Sequence, residues 1–116
     1  LNVIRDRSPP FVRLADGSTR NDFALKVINM APRTRRVAIS VSGLEGAHIV
    51  VQGGALDESG RVIAEARPDS VANVRLHVVA PAGTSPGSHP LRFELDDLDS
   101  DDRAGSASAF LAGVSR

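Results

Sequence analysis

Four segments of this chain alternate large apolar residues with small or polar ones: Phe23-Ala-Leu25-Lys-Val27, Val37-Ala-Ile39-Ser-Val41, Val74-Arg-Leu76-His-Val78 and Leu91-Arg-Phe93-Glu-Leu95. A period of two sends successive side chains to opposite faces, so each segment reads as a strand with one buried and one wet face. Weaker candidates run from Ala47 to Val51 and from Val62 to Ala66. Others flank the set: Asn2 to Arg5 with Phe11 to Leu14 at the start, and Ala107 to Leu111 at the end. Breakers stand between them at short intervals: Pro9-Pro10, Asp16-Gly17, Ala31-Pro32, Gly43, Gly53-Gly54, Ser59-Gly60, Pro68-Asp69 and Pro81 to Gly87. The one stretch rich in helix formers, Leu56 to Arg67, carries Gly60 in its middle and is followed by Pro68, so it reads as a turn and a strand.

Strands with a single apolar face must bury it against one another. The pattern therefore predicts an all-β fold, an immunoglobulin-like antiparallel β-sandwich of seven to eight strands. Its core should hold Phe23, Leu25, Val27, Val37, Ile39, Val41, Leu76, Val78, Leu91, Phe93 and Phe110. The chain has no Cys and no Trp, so it lacks the disulfide and core Trp of antibody domains, which excludes only that subclass.

Length allows one domain, residues 1–116, burying about two-thirds of the unfolded chain's surface. Fourteen basic residues balance fourteen acidic ones, so no net field draws the molecule to nucleic acid or an anionic membrane. Without cysteine there is no thiolate metal site, cysteine nucleophile or disulfide, although this does not fix the compartment. No run approaches the roughly 20 apolar residues of a spanning helix. The chain begins at Leu1, in mid-strand register, and reads as a segment of a larger protein.

Several groups carry potential chemistry. The acidic run Leu95 to Asp102 places carboxylates at Asp97, Asp99 and Asp101, the spacing of a calcium loop, but Asp102 stands where the loop needs Gly and Ser108 where it needs Glu. It reads instead as a solvated loop. His48, His77, His89 and Met30 could supply imidazole and thioether ligands to copper if the fold gathered them. His77 alternates with Leu76 and Val78 and should face solvent on the outer face. Arg33, Arg35 and Arg36 form a basic patch in a turn, a candidate for binding a partner, but with no interleaved aromatic residue for nucleic acid. Arg5, Arg7 and Arg20 lie near Asp6, Asp16 and Asp22, where ion pairs would pin the first strands together. No Gly-x-Ser-x-Gly turn occurs, and no Ser, His and Asp cluster is brought together by strand geometry.

The ordered series Asp6-Arg7, Pro9-Pro10, Phe11-Val12, Leu14-Ala15-Asp16-Gly17, Arg20-Asn21 and Phe23 through Asn29 resembles the start of the C-terminal domain of the FixG family, also called CcoG, the cytochrome c oxidase accessory proteins. Pro86 to Phe93 is similar to that family's penultimate strand and Ser108-Ala109-Phe110 to its last. Phe23 and Met30 depart from it, standing where Tyr and Lys are expected. The resemblance implies a membrane-anchored bacterial parent with iron–sulfur clusters, associated with copper reduction and with assembly of a haem–copper oxidase. This chain would then be its noncatalytic, immunoglobulin-like C-terminal tail on the periplasmic side, holding no cofactor itself. Its implied partner is an oxidase subunit or a copper carrier. Two other readings stand beside it: an unrelated extracytoplasmic module for adhesion, carbohydrate binding or chaperoning, and a domain that binds copper directly.

Overall fold

The computed structural model describes residues 2–5, 12–51 and 56–112. The described residues form nine strands: β1 (Asn2–Arg5), β2 (Val12–Arg13), β3 (Thr19–Asn29), β4 (Arg35–Ser42), β5 (His48–Val50), β6 (Val62–Ala66), β7 (Ser70–Ala80), β8 (Gly87–Asp97) and β9 (Arg103–Ala112). The expected sandwich is there, with the two-residue β2 as a short addition. Sheet A runs β1-β3-β7-β5, with β2 also on β3, and sheet B runs β6-β4-β8-β9. All pairings are antiparallel. From β3 to β8 the chain changes sheet at every connection, so neither sheet can form without the other. Among the described residues there is no helix.

The inward positions of the alternating segments meet between the sheets. Leu25, Ile39, Val78, Phe93 and Phe110 have no exposed surface, and Phe23 meets Phe93 edge to face with ring centroids 5.0 Å apart. Of the expected core, Val41 alone is only half-buried, packing on the cluster from the end of β4. The stretch from Leu56 behaves as expected: Leu56 bridges Val62, and a turn at Asp57 leads into β6.

Turn chemistry follows the sequence. The Asp16-Gly17 pair closes the hairpin between β2 and β3, with the Gly17 amide donating to Leu14 O and the Ser18 amide to the Asp16 carboxylate. The bonds from Ser18 hold the Asp16 carboxyl below its ordinary pKa. Gly43 has φ +103°, and a Cβ there would lie 2.8 Å from Pro90 O, so only glycine fits this bend after β4.

Two buried amides tie the layers together. Asn21 Nδ2 donates to Leu111 O at 2.8 Å, and the Leu111 amide returns a bond to Asn21 Oδ1 at 2.8 Å, fastening sheet A to the edge of β9. Asn29 Nδ2 reaches the carbonyls of Arg33, Ala66 and Arg67 at 2.9, 2.9 and 3.0 Å, while its Oδ1 accepts from the Ala31 amide. Both asparagines belong to the series that carries the family resemblance, and their role here is to satisfy backbone groups that the strand ladders leave unpaired.

Candidate functional site

Chemistry-bearing residues collect in two places. The first is the end of the sandwich where β4 begins and β8 finishes. By alternation Arg35 precedes Val37 and Ile39 on the inward side, and Asp97 follows Leu91, Phe93 and Leu95 on the same side. The Asp97 side chain is fully buried at this mouth and accepts from Arg35 at 2.6 Å, with Arg33 3.6 Å away. Arg35 also pairs with Asp102 at 3.1 Å, and Arg36 with Asp99 at 3.6 Å. The basic patch and the acidic run, which are separate features in the sequence, are therefore one ion-pair network.

This corrects the expectation of a wholly solvated acidic loop. The Asp99 amide donates to Asp97 Oδ1 at 2.8 Å, and this bond is the main reason the Asp97 carboxyl sits below its ordinary pKa. Burial pulls the other way, and Arg35 adds to the lowering. Beside the network lies a cavity of about 220 Å³, lined by Val27, Arg35, Val37, Ala66 and Leu95 among others. The groups facing it are already paired, so it presents no free nucleophile or base.

The second place is the outer face of sheet A, reached by the odd partners of the core pattern. Register sets Asp22 opposite His77, Lys26 opposite Asn73 and Ile28 opposite Val71. His77 Nδ1 lies 2.6 Å from Asp22 Oδ1, so this histidine is held against a carboxylate and is only partly open to solvent. Arg20 pairs with Asp22 at 3.0 Å within the same strand, so it does not pin two strands as expected. Arg5, Asp6 and Arg7 have side chains outside the described residues.

The four candidate copper ligands do not come together. His48 pairs in register with Val79, two positions from His77, so the two imidazoles are diagonal neighbours on one face. His89 stands on β8 in the other sheet, with Nε2 2.6 Å from Ser85 O. Met30 follows the end of β3, roughly 26 Å along the strand direction from Asp22 and His77. Among the described residues no group of three or more His, Cys, Asp or Glu is arranged to hold a metal. The histidine pair and its carboxylate were not legible as a unit, because the register of β3 on β7 is not written in either strand.

Comparison with known proteins settles the lineage. The family model for the immunoglobulin-like fold at the C-terminus of FixG matches residues 1–113. The chain belongs to the FixG C-terminal domain family. It is 37% identical over 83 residues to nitrogen fixation protein FixG of Rhizobium meliloti, covering 72% of this chain and 16% of that protein. It is 36% identical over 100 residues to protein RdxA of Cereibacter sphaeroides, covering 84% and 20%. The FixG domain therefore spans a fifth or less of these relatives. A crystal structure of a FixG-related protein from Vibrio parahaemolyticus shares the fold, with a TM-score of 0.78 over 97% of this chain and 94% of that one at 22% identity.

Proposed function

We propose that this domain is the noncatalytic binding and scaffolding tail of a membrane-anchored FixG-type oxidoreductase, set on the periplasmic side. There it brings the parent to a protein partner during copper handling and cytochrome oxidase assembly. The observation that carries the reading is the FixG-domain match over residues 1–113, joined to a surface chemistry that favours contact over reaction. At the loop end Arg35 is committed to Asp97 and Asp102, and on sheet A His77 is committed to Asp22. Groups held in such pairs fix the shape of a surface, while catalysis calls for a base and a nucleophile converging on one point.

The iron–sulfur and copper chemistry belongs, in this reading, to the rest of the parent, since a chain without Cys offers no cluster ligands of the usual kind. The test is to delete this domain from the full-length parent in its own cell and measure assembled haem–copper oxidase together with iron–sulfur content of the remaining protein. The expected result is a fall in oxidase with the clusters retained. Unchanged oxidase would overturn the reading.

A further inference from the structure

The hairpin of β2 and β3 fixes which backbone groups of β3 point away from β7. The Leu14 amide donates to Ser18 O, which makes these two residues a bonded pair. Bonded pairs alternate along an antiparallel ladder, so Arg20, Asp22, Ala24, Lys26 and Ile28 turn their N–H and C=O toward the side of β1 and β2. There Ala24 faces Ile4, and Lys26 faces Asn2, the first residue of β1. Beyond that point β3 runs on against β7 through Val27, Ile28 and Asn29. Counted on in the register of β1, Ile28 faces the position immediately before Leu1, so the ladder partner of its N–H and C=O lies outside this sequence. The cavity beside the ion-pair network lies at this same end, lined by Val27, Ile28 and Asn29 of β3 and by Arg103 and Ala104 of β9.

We propose that the stretch of the parent immediately before Leu1 continues β1 along the end of β3, covers the cavity and so holds the domain in a fixed orientation on the rest of the protein. The family model that fits residues 1–113 describes the C-terminus of FixG, and the chain spans only 16% and 20% of its two relatives. In a parent of that plan the preceding chain enters through β1 and starts in this lane. Three features select it as the occupant. The lane is short and collinear with β1, so a strand from another molecule would end head-on against Asn2, while the connected segment is held there at an effective concentration that a separate partner does not match. Ile28 offers one more rung of an existing ladder, and strand N–H and C=O groups take such partners wherever chain is at hand. β1 approaches β9 as well as β3, so its continuation passes between Ile28 and Ala104, over the cavity. In that ladder Leu1 takes the inward parity of Val3, opposite Val27, and gives the cavity an apolar cover. The inference concerns how the domain is attached and is independent of what it binds.

The test is amide hydrogen exchange, read residue by residue by mass spectrometry, on the full-length parent and on a version with proline in place of the residue immediately before Leu1. Proline there puts a ring where an N–H must donate to Ile28 O. In the unaltered parent the Ile28 amide should exchange about thirtyfold or more below the rate of a free peptide. In the proline version it should speed up about tenfold or more, while the Ala24 amide, bonded to Ile4, keeps its rate. Less protection in the unaltered parent would overturn the proposal. So would protection that survives the proline, since something other than this segment would then cover the edge. A second measurement in the unaltered parent decides the matter if the proline loosens β1 as a whole. The photoreactive residue benzoylphenylalanine at Ala104 should crosslink within the same chain, to the peptide that precedes Leu1. No crosslink, or one chiefly to another copy, another protein or phospholipid, would overturn the proposal.

Discussion

The two outer faces of this sandwich come from the same binary pattern and end with opposite surface chemistry. On sheet B, Arg92 faces Glu94 at 3.4 Å, Asp96 takes Arg61 at 3.7 Å and Arg103 at 3.2 Å, and Gly105 leaves room for the Arg92 guanidinium to lie across β9. Among the described residues, none of the exposed large apolar side chains sits on a strand of that sheet. On sheet A, Ile28, Val50 and Val71 are exposed, and Lys26 and Arg75 find no carboxylate among the described residues. Surface ion pairs of the sheet B kind add little to stability, so their work is to leave that face neutral and inert. The fold tolerates either finish.

What the two faces share should be the most sensitive to damage. Phe93 belongs to sheet B, is fully buried and meets Phe23 of sheet A, so Phe93→Ala should destabilise the domain by about 4 kcal/mol in urea unfolding. A loss under about 1 kcal/mol would mean that the sheets do not depend on each other. Next in size is the latch between strand end and loop. Asn29→Ala leaves the Ala31 amide and the three carbonyls of Arg33, Ala66 and Arg67 without their partner, and should cost about 3 kcal/mol. Asn29→Asp should not rescue it, because a carboxylate cannot donate to those carbonyls.

The acid limb of stability separates the loop end from sheet A. The Asp97 carboxyl is held below its ordinary pKa by the Asp99 amide and by Arg35, so its ionised form is favoured in the folded state. The stability it contributes is complete above the unfolded value, about 3.9, and is lost as pH falls through the lower folded value. Asp97→Asn should therefore unfold at lower urea than the parent chain at pH 7, and the gap should close below about pH 4. Asp16 and Asp57 are lowered too, by Ser18 and chiefly by the Arg61 amide, and give both proteins a common acid slope. A gap that stays constant from neutral to strongly acid pH would show that Asp97 is not ionised and paired.

The smallest effect expected concerns copper. Titration with Cu(I) and Cu(II) against a chromophoric chelator should show no competition, because His48 and His77 are neighbours on one face while His89 and Met30 stand elsewhere. NMR shifts serve as the second readout, since the chain has no Trp or Tyr. Saturable one-to-one binding mapped to His48 and His77 would turn sheet A into part of a copper path and blur the contrast between the faces.

Much of this was legible in the sequence, and the misses have two causes. The alternation of Phe23, Leu25 and Val27 gives the strand and its buried side, and extending the same parity one step each way reaches Asn21 and Asn29, both buried. The same step from Val37 reaches Arg35, and from Leu95 reaches Asp97. Polar residues on the inward parity are the signal for the latches and for the ion-pair network. Reading only the apolar members of each run leaves Asp97 in a solvated loop and Arg35 in a surface patch. The meeting of Asp22 with His77 and of Ile28 with Val71 has no such signal, because it depends on which strand lies beside which and in what register.

The most direct test of the account compares two versions of the full-length parent, wild type and one that lacks this domain. The quantities measured are assembled haem–copper oxidase and the iron–sulfur content of the remaining protein. The account predicts that oxidase falls on deletion while the clusters are retained. Unchanged oxidase would contradict it.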